Sequence, residues 1–265
     1  MISSTSNAQV KNIEKLMKSS RERTEQGLYV CEGIKMFLEV MERPGALVKA
    51  YFAESFLSDQ VYRERIEERL TVPYEVLSDS VFAKASETKT PQGVLGLVRC
   101  PEYTLKDILS GKENRNPAVL MLENLRDPGN LGTIVRTAEG AGIDGIILSR
   151  ESVDIFSPKV IRATMGAIYR VPFVYVENFT QTVKEVSKRG IRTCAAHLAG
   201  SVCYDEPDYI SPCAILIGNE ANGLTDETAE AADIRIRIPM EGAVESLNAA
   251  VAAAVLMYEV HRQRH

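Results

Sequence analysis

Leu122-Glu-Asn-Leu-Arg-Asp-Pro-Gly-Asn-Leu-Gly-Thr-Ile-Val-Arg-Thr-Ala138 passes from an apolar run through a loop of helix breakers into apolar spacing of helical period. It reads as strand, loop, helix, and the same alternation recurs along the rest of the chain. Apolar runs occupy 119–122, 145–148, 171–176, 191–196, 214–217 and 234–238, with helical stretches at 131–141, 158–167, 180–188, 226–232 and from about 246 to 262. Continuously apolar strands alternating with helices predict a mostly parallel sheet covered on both faces, an α/β fold. In such sheets ligands bind where loops leave the carboxyl ends of the strands.

Upstream the elements are smaller. Residues 7–18 have helical spacing through Val10, Ile13, Leu16 and Met17, and strands are expected at 28–31, 47–53, 72–77 and 94–100. Helices are expected at 33–41 and, strongly charged, at 59–70. The stretch 101–117 is polar and rich in breakers, which divides the chain into a small α/β domain at 1–104, a linker at 105–117 and a second domain at 118–265.

Composition narrows the function classes. The chain has 265 residues, 45% apolar and 25% charged, an ordinary globular balance. It has no apolar run long enough to span a bilayer and no apolar core in its opening stretch, so a cytoplasmic location is expected. The five cysteines include no C-x-x-C, and two of the three histidines, His261 and His265, lie at the far end. Disulfide, zinc and histidine-centred chemistry are therefore poorly supplied. The net charge of -5 gives no global attraction to a polyanion, although residues 1–49 carry eight Lys/Arg against six Asp/Glu.

Gly140-Ala-Gly142-Ile-Asp-Gly145 matches the dinucleotide pattern G-x-G-x-x-G, but it follows a helix and leads into a strand, the reverse of the order that aims amides at a pyrophosphate. It predicts a helix cap and turn instead, so a nicotinamide oxidoreductase has no support elsewhere in the chain.

Three strand-end segments are candidates for chemistry. In the first, Asn130 is a candidate helix N-cap and Arg136 a guanidinium placed to meet a phosphate or a developing oxyanion. In the second, Ile215-Leu-Ile-Gly-Asn-Glu-Ala-Asn-Gly-Leu224, Gly218 and Gly223 allow close backbone approach to a ligand and Glu220 sets a carboxylate at the sheet edge. In the third, Ile238-Pro-Met240 leads through a loop to Ser246-Leu-Asn248 and a small-residue helix, with Ser246 a candidate cap.

Together, and in this order, the segments resemble the three motifs of the SpoU (TrmH) branch of the SPOUT methyltransferases: Asn130/Gly132/Arg136, Gly218-Asn219-Glu220/Gly223, and Ile238-Pro239-Met240 with Ser246-Leu247-Asn248. Tyr29-Val-Cys-Glu-Gly33 and Thr90-Pro-Gln-Gly93 resemble that family's substrate-binding domain, a module similar to RNA kink-turn binders. The resemblance implies a trefoil knot in the second domain and methyl transfer from S-adenosylmethionine to a ribose 2′-OH, in large-subunit rRNA or alternatively in tRNA. It assigns the cofactor to Leu198, Gly218, Asn219, Glu220, Ile238, Met240 and Leu247, and catalysis to Asn130, Arg136, Glu220 and Asn248. RNA contacts fall on Lys159, Arg162 and Arg170, and a homodimer forms through the catalytic domain with the last helix at the interface. Arg136 is expected beside the cofactor cleft. A guanidinium is too weakly acidic to serve as a base, which leaves Glu220 or a phosphate oxygen as proton acceptor. The chain departs from the family in having Ala249-Ala250 where Val-Ser is frequent. A non-catalytic RNA-binding protein retaining the fold is the competing class, and retention of Arg136, Glu220 and Asn248 together argues against it.

Overall fold

The computed structural model describes residues 1–111, 115–199 and 202–265. Two compact units form: Met1–Pro101 with Asp154–Tyr169, and Glu102–Val153 with Arg170–His265.

The first unit carries α1 (Ala8–Lys18), α2 (Ser20–Gln26), β1 (Leu28–Glu32), α3 (Ile34–Met41), β2 (Leu47–Ala53), β3 (Tyr74–Leu77), α4 (Asp79–Ala85) and β4 (Val94–Arg99). Asn7 caps α1 by accepting from the Gln9 amide at 2.8 Å, and Val10, Ile13, Leu16 and Met17 fill its buried face as their spacing predicts. The sheet order is β1-β4-β2-β3, antiparallel except for the parallel β2–β3 edge pair. No single helix spans 59–70. The chain makes separate short turns at Glu54–Ser58, Tyr62–Ile66 and Glu67–Arg69. Phe56 and Tyr62 of these turns both pack against the Phe52 ring, at 6.0 and 5.1 Å.

Asp154–Tyr169, expected within the second domain, packs into the first unit. Arg23, buried, reaches Asp154 at 2.7 Å and also donates to the Met17 carbonyl at 3.2 Å. Phe156 stacks on Tyr29 at 4.8 Å. The segment's helix, α7 (Pro158–Thr164), is shorter than the stretch 158–167 expected to be helical, because Met165 turns left-handed and ends it.

The second unit is a seven-stranded sheet among the described residues, in the order β7-β6-β5-β10-β8-β11-β9 and parallel throughout. Its strands are β5 (Ala118–Leu122), β6 (Gly145–Ser149), β7 (Phe173–Val176), β8 (Arg192–Ala196), β9 (Val202–Cys203), β10 (Cys213–Ile217) and β11 (Ile234–Arg237). Helices α6 (Pro128–Ala141), α8 (Phe179–Lys188), α9 (Asp226–Ala231) and α10 (Ala249–Arg264) lie between and after them. The stretch 105–117 contains α5 (Leu105–Leu109), opened by a Thr104–Asp107 capping box and sinking Ile108 and Leu109 into this unit's core. Residues 112–114 of the expected linker lie outside the described residues. Gly142 closes α6 at φ 76° and Gly145 opens β6, which is the cap-and-turn reading of the glycine motif. No described helix is long and apolar enough to cross a membrane.

Candidate active site

Because every strand of the second sheet runs the same way, the ends of β5, β8, β10 and β11 open on one edge. After β10 the chain folds back on itself: Asn219 and Gly223 exchange backbone hydrogen bonds, each at 2.9 Å. A Cβ on Gly218 would stand 2.0 Å from the Gly223 carbonyl carbon and the Leu224 nitrogen, so only glycine fits there. The residues after β5 hold both ends of this loop. At the near end, Asn219 Nδ2 donates to the Asn124 carbonyl at 2.8 Å. At the far end, the Thr225 amide and hydroxyl donate to the buried Glu123 carboxylate at 2.7 and 2.8 Å, joined by the Thr228 hydroxyl at 2.5 Å. Asn124 itself takes φ 54°, with the Ser149 hydroxyl accepting from its amide at 2.8 Å.

The three chemistry-bearing segments meet in one hydrogen-bonded chain. Asn248 Nδ2 donates to Asn130 Oδ1 at 3.1 Å, and Asn130 Nδ2 donates to Glu220 Oε1 at 3.1 Å. The Glu220 carboxylate also accepts from the amides of Asp127 at 2.8 Å and Arg126 at 3.1 Å. Partial burial pushes the Glu220 carboxyl upward, but these donors outweigh it and hold the group below its ordinary value. Neither expected cap is the cap. Asp127 caps α6 by accepting from the Asn130 amide at 2.7 Å, with Pro128 in the first turn, and Asn248 caps α10 by accepting from the amides of Ala250 and Val251 at 2.9 and 3.3 Å. Asn130 is thereby left free to link the other two motifs through its side chain.

Beside this chain lies a cavity of about 580 Å³, lined by Leu198, the Gly218–Leu224 loop, Ile238, Met240 and Leu247, with Ala249, Ala252 and Leu256 of α10. Leu198 is 65% exposed, an apolar side chain presented to open space. His197 lines the cavity, with Nδ1 accepting from the Ala199 amide at 3.1 Å. All seven residues assigned to the cofactor therefore line one cavity. Ala250, at the position where the family often has a hydroxyl, is buried and does not line it.

The remaining assigned residues lie elsewhere. Arg136 is exposed on α6, has no ion pair or hydrogen bond among the described residues, and does not line the cavity within one chain. Lys159 is exposed on α7 of the first unit, and Arg162 there pairs with Glu32 and Glu87 at 3.6 and 3.7 Å. Arg170, in the second unit, pairs with Glu139. Sequence reasoning missed Glu123, Asn124 and Asp127. The Asp127-Pro128 pair, a cap followed by a proline at the first helical position, was the available signal for one of them.

Comparison with known proteins places these features. The SpoU rRNA methylase family matches residues 117–258, and an MRM3-like substrate-binding domain matches residues 7–96. The 23S rRNA (guanosine(2553)-2′-O)-methyltransferase RlmP of Bacillus subtilis is 32% identical over 261 residues, 98% of each chain. An AdoMet-bound rRNA methyltransferase from Sinorhizobium meliloti superposes with a TM-score of 0.84 at 32% identity, covering 98% of this chain and 97% of that one. AviRb, a SpoU methyltransferase from Streptomyces viridochromogenes solved with AdoMet, shares the fold at a TM-score of 0.86 and 24% identity, over 97% and 99% of the two chains. With the family matched over more than half its length and its three motifs joined at one sheet edge, this chain belongs to the SpoU rRNA methylase family.

Proposed function

We propose that the protein uses S-adenosylmethionine to methylate a ribose 2′-OH in structured RNA, large-subunit rRNA in particular. The observation that carries this reading is the Asn248–Asn130–Glu220 chain, which brings three distant motifs to the lip of one cavity. The cavity fits the cofactor: its volume is that of a small-molecule site, Leu198, Ile238, Met240 and Leu247 offer apolar surface, and Gly218 permits close backbone approach. The cofactor, when bound, supplies a methyl group already activated on a sulfonium.

What remains for the chain is alignment of the 2′-oxygen and disposal of its proton. Glu220 is a poor base, since amide and side-chain donors occupy both of its oxygens and stabilise its ionised form. It acts as a positioning residue that fixes Asn130 and the entry to α6, and a phosphate oxygen of the RNA takes the proton. Arg136 grips that phosphate and stabilises alkoxide character. Since Arg136 does not line its own chain's cavity, a second copy delivers it. Val251 and Tyr258 of α10 are 49% and 50% exposed, and a Cβ on Gly140, one turn beyond Arg136, would lie 3.4 Å from the Tyr258 hydroxyl. This apolar face beside Arg136 suits a homodimer contact.

Labelled cofactor and total RNA from cells lacking the gene test the reading. A 2′-O-methyl blocks alkaline cleavage, so label is expected in alkali-resistant dinucleotides from the large-subunit RNA; label confined to single nucleotides, or to tRNA, overturns it. For the dimer, Arg136→Ala and Gly218→Val proteins, each inactive, are expected to regain activity when refolded together, because one mixed site is intact. Failure to complement in a demonstrated heterodimer returns Arg136 to its own chain.

A further inference from the structure

Among the described residues the cofactor cavity is lined by four titratable side chains: His197 just past β8, Glu220, Arg237 at the end of β11, and Glu245. Glu220 is held ionised by its donors, and its lowered pKa keeps it so in mildly acid solution. Arg237 and Glu245 are exposed and have no ion pair among the described residues. Two carboxylates against one guanidinium leave the lining net negative while the imidazole is neutral, and balanced once it is charged.

The local structure favours the neutral ring. The His197 amide donates to the Ile236 carbonyl at 2.9 Å, which fixes where the residue leaves the sheet. Its Nδ1 accepts from the Ala199 amide at 3.1 Å. A nitrogen that accepts an N–H carries no proton, so the ring is neutral with its hydrogen on Nε2. Charging it places a proton from solvent on Nδ1, and two N–H groups then oppose each other across that contact. With its lone pair committed to the Ala199 amide, His197 is no base for the acceptor hydroxyl. The ring's charge matters because of what methyl transfer does to the cofactor. S-adenosylmethionine carries a sulfonium, an ammonium and a carboxylate and is net positive, whereas S-adenosylhomocysteine has a thioether in place of the sulfonium and is balanced.

We propose that His197 is a specificity-determining residue of the cofactor cavity: neutral, it keeps the lining net negative and so favours the charged methyl donor over its product, and protonation of the ring removes that preference. The inference rests on the cofactor the family uses and is independent of which RNA is methylated. Because the donor binds the neutral ring better, its affinity is complete where imidazole is uncharged and falls as pH drops through the interval in which imidazoles charge. Unit charges about 10 Å apart, the span of a hollow this size, interact strongly enough at an effective dielectric constant of about 20 to change affinity about five- to tenfold. The product has no sulfonium to repel and should be nearly indifferent.

The test is calorimetry of S-adenosylmethionine and S-adenosylhomocysteine at about pH 7.5 and about pH 5.5, in the parent and in His197→Asn, with melting curves at each pH. Asparagine keeps an oxygen to accept from the Ala199 amide but cannot become charged. In the parent, acidification should raise the Kd of the donor about five- to tenfold and that of the product less than about twofold. In His197→Asn neither Kd should move with pH. A donor Kd that does not change in the parent overturns the proposal, as does the same fall persisting in His197→Asn, which would assign the titration to another group. Equal weakening of donor and product overturns it too, since opening of the 197–199 turn would harm both alike. Should the variant not fold, the ratio of the two shifts in the parent decides alone. A parent that binds neither compound at about pH 7.5 instead removes the cofactor from this cavity.

Discussion

Single atoms decide whether the catalytic loop can exist. Gly218→Ala would drive a Cβ into the Gly223 and Leu224 backbone, so the loop must open. Cofactor affinity should fall more than about tenfold, roughly 1.4 kcal/mol, readable by calorimetry, and the melting temperature should fall with it, because the opened loop strains its anchors on Asn124 and Glu123. Glu220→Gln is less conservative than its size suggests. A carboxylate can accept from the Arg126 and Asp127 amides at once, whereas a glutamine sets its own NH₂ against one of them. A fall in turnover of about tenfold or more is expected; full activity would remove Glu220 from the positioning role. The sign of its pH dependence follows from the lowered pKa. The folded-state carboxyl titrates below its unfolded value, so its contribution is complete above the ordinary carboxylate range and is lost as pH falls through the depressed folded pKa. A rate profile around neutrality should therefore show no limb from Glu220, and loop order should fail only in acid. A limb near neutrality that vanishes in Glu220→Gln would restore it as the base.

At the scale of elements, the parallel sheet was legible because strands covered on both faces must be apolar throughout. Runs such as 145–148 and 214–217 reappear as β6 and β10 with one residue added at an end. The short helices α2, α4 and α5 were not legible. With seven, seven and five residues they are too brief to display a period, and packing rather than propensity holds them. Motif residues could be identified from their order along the chain, but their partners could not. The Glu123 latch joins residues about a hundred positions apart, and a lone glutamate after a strand carries no mark of that. Both caps were misplaced because Asn130 and Ser246 are as good cap formers as Asp127 and Asn248, and only coordinates choose between them. The end of α10 is similarly cryptic. Arg264 donates to the carbonyls of Tyr209 at 2.7 Å, Asn116 at 2.7 Å and Ser211 at 3.1 Å, tying the helix to the segments that enter β5 and β10. Arg264→Ala should cost roughly 2–3 kcal/mol of unfolding free energy, measured by urea titration. Arg264→Lys should recover only part of it, since an ammonium lacks the planar fork.

For the whole molecule, the decisive feature is that Asp154–Tyr169 completes the first unit. A fragment of residues 1–101 would leave Arg23, with a side chain only 5% exposed, facing no Asp154, and Glu32 without Arg162. Removing one partner of a buried pair costs about 3–5 kcal/mol. The fragment should therefore unfold at much lower urea than the first unit does in the intact chain, and a peptide of residues 154–169 should raise its midpoint. An unchanged midpoint, with or without peptide, would show that the segment is dispensable. The arrangement also sets a timetable for the ribosome. A nascent chain usually settles its leading module first, but here β1 must wait for a helix translated some 130 positions later. At elongation rates of roughly 5–20 residues per second, the half-finished N-terminal sheet would spend several seconds with Tyr29 and Glu32 bare, an interval in which chaperone occupancy and codon choice upstream of position 154 would govern the yield of native protein.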